Sequence, residues 1–408
     1  MYSPTVALTD GFKVAVPHFQ QDPCEDGFIQ NPYPFYDRVR AAGPLFYWRE
    51  YGLICASDYS TVNSLLRDRR FGREAPANAR KLHLEHLSSF YALEENSMLE
   101  LEPPRHTRLR GQVLRAFTSR RILALEPEIE ALCTELIDQF PNGPFDLLTT
   151  YAERIPVIII ARLLGVPDAL ADQLLAWSHD IVAMYQARKD RRIEDAAERA
   201  TLEFSAYVRG LIAERRENPR DDLISELAKS DPEKISDDEL IATCILLLNA
   251  GHEATVHAIG NSVAVLLDKG VPLAPLFDGP ETTLATVEEL IRFDPPLHMF
   301  TRYALEDITL HGQTFKTGDQ IGLLLASANR DPAKFAHPAE FDPERGGLGE
   351  VSFGAGLHFC IGAPLARLEM ATGLQYLFAR CPNIRLSETP RYANRYHFHG
   401  LERLMVTV

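Results

Sequence analysis

Phe353-Gly354-Ala355-Gly356-Leu357-His358-Phe359-Cys360-Ile361-Gly362 places one cysteine at the junction of a glycine-rich loop and a helix. The helix is legible in Ala363-Pro364-Leu365-Ala366-Arg367-Leu368-Glu369-Met370, with apolar spacing continuing to Leu374 and Phe378. Proline suits a first helical turn, where its missing N–H has no partner to lose. Cys360 is therefore expected at the positive end of a helix dipole, where free N–H groups favour thiolate over thiol. Gly354, Gly356 and Gly362 permit the close backbone approach that a sulfur–metal bond requires. A buried structural cysteine after a glycine-rich turn would show some of the same features.

The decapeptide resembles the cysteine-ligand loop of the cytochrome P-450 family, F-G-x-G-x-H-x-C-x-G, with every fixed position present. The resemblance implies haem b (iron protoporphyrin IX), one per chain, with Cys360 as the axial ligand that pushes electron density onto iron. It also implies a mainly α fold with small β regions: a helical prism around haem, crossed by a long central helix. The whole chain, 1–408, is then expected to form a single haem-thiolate monooxygenase domain.

Composition fits this reading. With 46% hydrophobic residues the chain builds a large core, and a net charge of −15 argues against nucleic-acid or anionic-membrane binding. Six cysteines lie scattered without C-x-x-C spacing, as expected of a reducing compartment. There is no signal-peptide pattern and no apolar run of ~18 residues, so a soluble cytoplasmic protein is expected. Residues 1–35 are expected to wrap the surface. Asn31–Arg40 reads as a helix opening at Pro32 or Pro34. Leu45–Trp48 and Leu53–Ala56 read as a hairpin around Tyr51-Gly52. Helical patterns dominate from 58 to 300. Tyr303–Leu325 is strand-like with turns at His311-Gly312 and Thr317-Gly318, and the last strands fall near Tyr396 to Val408.

Ser236-Asp237-Asp238-Glu239 is a capping box opening a helix over 237–269, ~50 Å long, with Gly270 as its stop. Its centre, Ala250-Gly251-His252-Glu253-Ala254-Thr255, places small residues and an acid where a buried helix would not ordinarily carry them. A packing notch with a solvated glutamate is the plain alternative. The segment resembles the family's oxygen-binding groove, A-G-x-D/E-T-T/S. The resemblance implies that Glu253 relays protons, while Gly251 and Ala254 make room for dioxygen and substrate. Ala254 departs from the usual threonine, and Thr255 is displaced ~100° around the helix. A substrate hydroxyl, an ordered water or partly uncoupled oxygen activation are the three ways to accommodate that change.

Glu289-Leu290-Ile291-Arg292 resembles the family's E-x-x-R, and Arg345 in Phe341-Asp342-Pro343-Glu344-Arg345 matches its third member. His106 and Arg110 share a helix face in a segment like P-P-x-H-x-x-x-R. With Arg302 and His358, they are the donors that the resemblance assigns to the haem propionates. Residues 103–125 hold six arginines and no acid. Arg105, Arg108, Arg115, Arg120 and Arg121 are candidates for docking an acidic ferredoxin-type redox partner, itself served by a reductase. The chain has neither a Rossmann glycine motif nor an iron–sulfur cysteine cluster, so electrons from NAD(P)H are expected through separate partners.

Family topology places Phe90, Tyr91, Met184, Tyr185, Leu297, Met299, Phe300 and Phe398 on the substrate side, with His83, His86, His298, His397 and His399 as polar candidates. The expected reaction inserts one atom of O2 into a small, mainly apolar organic molecule by hydroxylation or epoxidation. A peroxide-driven haem-thiolate enzyme and a non-catalytic haem-binding sensor are the alternatives. Neither needs both a proton relay and an electron-donor dock.

Overall fold

The computed structural model describes residues 16–80, 82–185, 190–345, 349–394 and 398–408. Two compact units emerge. One is formed by the described residues of Met1–Lys81, Gly260–Cys360 and Glu388–Leu404, and the other by those of Leu82–Ile259, Ile361–Ser387 and Met405–Val408.

The first unit is built on a six-stranded sheet. Its order is His18–Phe19, Leu45–Trp48, Leu53–Ala56, Gln320–Leu324, Met299–Ala304, Phe71–Gly72. The expected hairpin is present, with Leu45 opposite Ala56 and Trp48 opposite Leu53. Gly322 stands in the middle of the sheet because a side chain there would meet the sulfur of Cys55 at 2.7 Å. One sheet flank buries Phe35, Tyr36, Phe46 and Trp48 with Phe28, largely in edge-to-face or tilted ring contacts. The helix expected at Asn31–Arg40 spans Tyr33–Ala42, with a proline in its first turn. The turn at His311-Gly312 takes positive φ at both residues, as a tight antiparallel connection between Ile308–Leu310 and Gln313–Phe315 requires.

Residues 1–35 were expected to wrap the surface. Residues 1–15 lie outside the described residues; beyond them, His18–Phe19 joins the sheet in parallel with Tyr47 and Trp48, and Asp26–Gln30 is a short helix that buries Phe28. These segments are too short for any periodicity to show.

The second unit is mostly helical. Arg154–Leu164 is buried almost all round, as its run of isoleucines demands. Its end is fixed by Gly165 in the left-handed region, where any side chain would collide with Asp222. Asp222 caps the helix Leu223–Ala228 and pairs with the buried Arg215, whose guanidinium also donates to the Gly165 carbonyl. A small sheet joins Phe145–Asp146, Met405–Thr407 and Arg385–Leu386.

The long helix Asp237–Lys269 has 33 residues and opens on the expected capping box. The Ser236 N–H donates to Glu239 at 3.0 Å, and the Glu239 N–H donates to the Ser236 hydroxyl at 3.3 Å. Gly270 follows at φ +60°. Among the described residues, no helix is long and apolar enough to cross a membrane.

On the helix Ala363–Arg380, Glu369 is 1% exposed, and neither carboxyl oxygen has a hydrogen-bond partner among the described residues. Burial pushes its carboxyl well above the ordinary value of 4.5. A carboxyl raised in the folded state binds more protons folded than unfolded. Its contribution to stability therefore falls as pH rises above about 4.5, by up to about 1.4 kcal/mol per pH unit. In Glu369→Gln this loss disappears. The melting-temperature difference, variant minus parent, should grow steadily from pH 5 to pH 8; a constant difference would show that Glu369 titrates alike in both states.

Candidate active site

In the first unit, the cysteine loop is shaped by two glycines at positive φ, Gly354 at +69° and Gly356 at +68°. A side chain at Gly356 would lie 2.7 Å from the Leu66 carbonyl oxygen and 3.0 Å from the Arg67 Cα, so only glycine fits. The Cys360 N–H donates to the Phe353 carbonyl at 3.0 Å, closing the loop on itself. Gly356–His358 forms a single tight turn, and the helix Ala363–Arg380 begins three residues beyond the cysteine.

Beneath the loop lies a chain of buried polar contacts. Arg292 is bidentate to Glu289, with both bonds at 2.7 Å. The Asp342 N–H donates to Glu289 at 2.9 Å, and Arg345 reaches the same carboxylate at 3.4 Å. Arg292 also donates to the carbonyls of Asn329, Pro338 and Glu340. The Asn329 side chain takes the Val351 N–H at 2.8 Å and donates to the Ser352 hydroxyl at 2.7 Å; Ser352 in turn donates to the Ile291 carbonyl. The expected three residues are thus brought together. Asn329 and Ser352, which the sequence reading missed, join them to the start of the cysteine loop.

In the second unit, the long helix buries Glu253 to 7% exposure. His179 Nε2 lies 3.2 Å from one carboxylate oxygen, His252 Nε2 lies 3.6 Å from the same oxygen, and His257 Nε2 lies 3.8 Å from the other. Burial alone would raise the Glu253 carboxyl; the imidazoles of His252, His179 and His257 outweigh it and hold it at about 2. Glu153 in the same unit is raised, chiefly by burial. Ala250 is exposed and Ala254 half-buried, so these two positions, one turn apart, present methyl groups.

Gly251 faces another way. A side chain there would meet Ile160 at 3.2 Å, so the missing Cβ makes room for the helix Arg154–Leu164. Thr255 is one turn from Gly251 and shares its face. Its buried hydroxyl donates to the Gly251 carbonyl at 3.4 Å, away from the face of Ala250 and Ala254.

A family model described as cytochrome P-450 matches residues 281–383, which hold the Glu289–Arg292 pair, the cysteine loop and the helix after it. The biotin biosynthesis cytochrome P-450 of Bacillus subtilis (strain 168) is 34% identical over 385 residues, covering 93% of this chain and 97% of that protein. Vitamin D(3) 25-hydroxylase of Pseudonocardia autotrophica is 35% identical over 95% of this chain and 96% of its own. The crystal structure of P450BioI in complex with hexadec-9Z-enoic acid ligated acyl carrier protein matches with a TM-score of 0.87 at 34% identity, over 94% of this chain and 99% of that one.

The chain belongs to the cytochrome P-450 family. It is accordingly an oxidoreductase of the monooxygenase kind, and the family brings a haem-thiolate cofactor, a small-molecule substrate and redox partners. The thiols of this P-450 fit that cofactor. Cys55, Cys133, Cys244 and Cys381 are buried, and burial pushes Cys133 up to about 11 and Cys244 up to about 12. Cys24 and Cys360 are half-buried, and of the two only Cys360 lies in the glycine-rich loop before a helix. Among the cationic candidates, Arg302 is 2% exposed on the sheet, and its guanidinium lies 5.8 Å from the Phe300 ring. Arg73, which the sequence reading passed over, lies 5.8 Å from the same ring. His358 is half-buried in the cysteine loop. In the second unit, His106 is buried and Arg110 half-buried on the helix Arg105–Ala116.

Four of the histidines expected on the substrate side have other partners. His86 pairs with Glu194 at 2.7 Å, and His83 stacks on Tyr91 beside Glu95. His298 meets the Tyr36 hydroxyl at 3.0 Å. His399 stacks on Tyr392 and lies 3.4 Å from Asp294, which also accepts hydrogen bonds from Tyr33 and Tyr392 at 2.6 Å. His397 lies outside the described residues. Phe90 and Met184 are buried, whereas Leu297, Met299, Phe300 and Phe398 are half-buried. Tyr91 is half-buried, and Tyr185, 37% exposed, donates to Glu94.

Removing Glu289 would leave Arg292 buried without its counter-charge, at a cost of about 3–5 kcal/mol. Glu289→Ala should therefore give protein that carries little haem after purification. Haem content equal to the parent in that variant would show that the network does not support the cysteine loop.

Proposed function

We propose that this P-450 inserts one atom of O2 into a small, mainly apolar organic molecule, by hydroxylation or epoxidation. Its electrons come from NAD(P)H through a reductase and a ferredoxin-type protein, and the whole of 1–408 acts as one catalytic domain. The observation that carries the reading is Cys360: a half-buried thiol, next to a glycine turn no other residue can occupy, above a buried arginine–carboxylate network. With a thiolate ligand, haem b activates dioxygen for insertion into a C–H or C=C bond. Cys360 is assigned as that ligand, with His106, Arg110, Arg302 and His358 as donors to the haem carboxylates.

Glu253 is assigned to proton passage, because it is a buried carboxylate at the centre of the long helix and His179 links it to the exterior with an imidazole that is half exposed. Ala254 presents a methyl group where the family's threonine would present a hydroxyl. The missing contact is assigned to a hydroxyl on the substrate. The relatives include a P-450 of biotin biosynthesis and a vitamin D(3) 25-hydroxylase, so small organic molecules of more than one class are the substrates to try.

The ferredoxin dock is narrower than the basic segment suggested. Arg108 is bound to Glu239 at 2.6 Å with Arg105 close by, and Arg121 is bound to Asp221 at 2.7 Å. Arg115 and Arg120 are exposed, near Leu114 and Leu123, which are 48% and 61% exposed. Basic and apolar groups together suit an acidic partner with an apolar centre.

The holoprotein should show the thiolate-type Soret band in its ferrous carbonyl complex, and Cys360→His should lose it. A ferredoxin system should yield product, and Arg115→Glu with Arg120→Glu should raise the KM for ferredoxin without changing peroxide-driven turnover. Product from peroxide alone, with none from any ferredoxin system, would favour the peroxide-driven enzyme instead. Ala254→Thr should leave product formed per NAD(P)H unchanged with a hydroxylated substrate; a large gain would show that the substrate does not supply the contact.

A further inference from the structure

We propose that His179, His252 and Glu253 form a zinc-binding site at the outer end of the proton path; its effect on turnover rests on the role assigned above to Glu253. His252 carries the argument. Its Nδ1 lies 2.9 Å from the Leu248 carbonyl, which can only accept, so Nδ1 holds the hydrogen. In the neutral ring Nε2 is then a bare lone pair. That atom is buried, the residue is 1% exposed, and it has no hydrogen-bond partner among the described residues.

His252 Nε2 lies 3.6 Å from a Glu253 carboxylate oxygen, and His179 Nε2 approaches the same oxygen at 3.2 Å; zinc would take the neutral rings in place of the protons that pair them with the carboxylate. Three potential ligand atoms, all within 4.8 Å of one another, converge there. Nitrogen and oxygen ligands about 2.0–2.1 Å from a tetrahedral zinc lie roughly 3.3 Å apart, close to both distances. A ring N–H donated to a backbone carbonyl is also how metal-binding histidines are commonly oriented. Entry is open from one side, because the His179 side chain is 50% exposed and free to make the last adjustment. A water completes the fourth position. Two imidazoles and one carboxylate select zinc over magnesium or calcium, which prefer all-oxygen shells.

The second histidine–carboxylate group, Asp294 with His298 and His399, makes the contrast. Both Asp294 oxygens already accept tyrosine hydroxyls at 2.6 Å, and all three residues are buried. Its carboxylate is therefore already occupied by two donors and has no exposed member through which an ion could enter.

The test is equilibrium dialysis of the haem-loaded, tag-free protein against zinc, with bound metal measured by mass spectrometry. One zinc per chain should bind in excess magnesium. His179→Ala, a change at an exposed side chain that leaves the fold intact, and His252→Gln should each weaken binding by about tenfold or more. No bound zinc in the parent, or unchanged affinity in His179→Ala, would overturn the site. Ferredoxin-driven turnover measured on the same samples separates the two readings. Bound zinc that slows turnover supports both. Bound zinc without inhibition upholds the site and removes Glu253 from the proton path, whereas absent zinc removes the site and leaves the role of Glu253 standing.

Discussion

One buried carboxylate underlies the cysteine loop. Glu289 gathers the Arg292 guanidinium, the Arg345 side chain and the Asp342 N–H. Hydrophobic residues of similar volume would be as stable there or more so, because desolvating an ion pair offsets most of its attraction. They could not do what Arg292 does next. The chain between Asn329 and Glu340 contains no sheet ladder to satisfy its carbonyls, and Arg292 donates to three of them. A planar guanidinium with five N–H groups can do this at fixed angles, which a lysine cannot. The ion pair is therefore a device for shape: it folds an irregular stretch of backbone where regular structure is absent.

That shape is handed on through Asn329 and Ser352 to the loop that carries Cys360. The loop itself has no room for error at Gly356, pressed against the backbone at Leu66 and Arg67. Rigidity arises from both sides, a polar network on one and a steric wall on the other. A metal-binding thiolate benefits from both, since its sulfur must be held where the metal will be rather than found by the side chain each time.

The legible parts of this protein are those fixed by local rules or fixed spacing. The Ser236–Glu239 capping box, the hairpin at Tyr51-Gly52, the glycines of the cysteine loop and the Glu289–Arg292 pair could be read because each is complete within about ten residues. Asn329, Ser352 and Arg73 could not, since their partners are set by tertiary folding. The histidines show the limit most clearly. His298 and His399 were candidates for polar contacts, but His298 meets Tyr36, and His399 lies between Tyr392 and Asp294. His179 drew no attention at all, yet it touches the acid of the long helix seventy-four positions away. Gly251 was noticed for its missing side chain, and the neighbour in that direction, Ile160, comes from a helix that the local sequence could not name.

The exchange of Thr for Ala at 254, with a threonine at 255, is more than a one-residue shift. Successive positions on a helix differ by about 100°, so 254 continues the face of Ala250 while 255 continues the face of Gly251. A hydroxyl on the second face is taken up by the Gly251 carbonyl and lies buried beside the helix Arg154–Leu164. On the first face, positions 250 and 254 present methyl groups. At the same point the helix turns Glu253 into a cluster of imidazoles. The helix thus separates two tasks that neighbouring side chains would otherwise share: it keeps an acid on one side and strips hydroxyl groups from another. Side chains at 254 and 255 therefore point to different surroundings, and a hydroxyl at 255 does not stand in for one at 254.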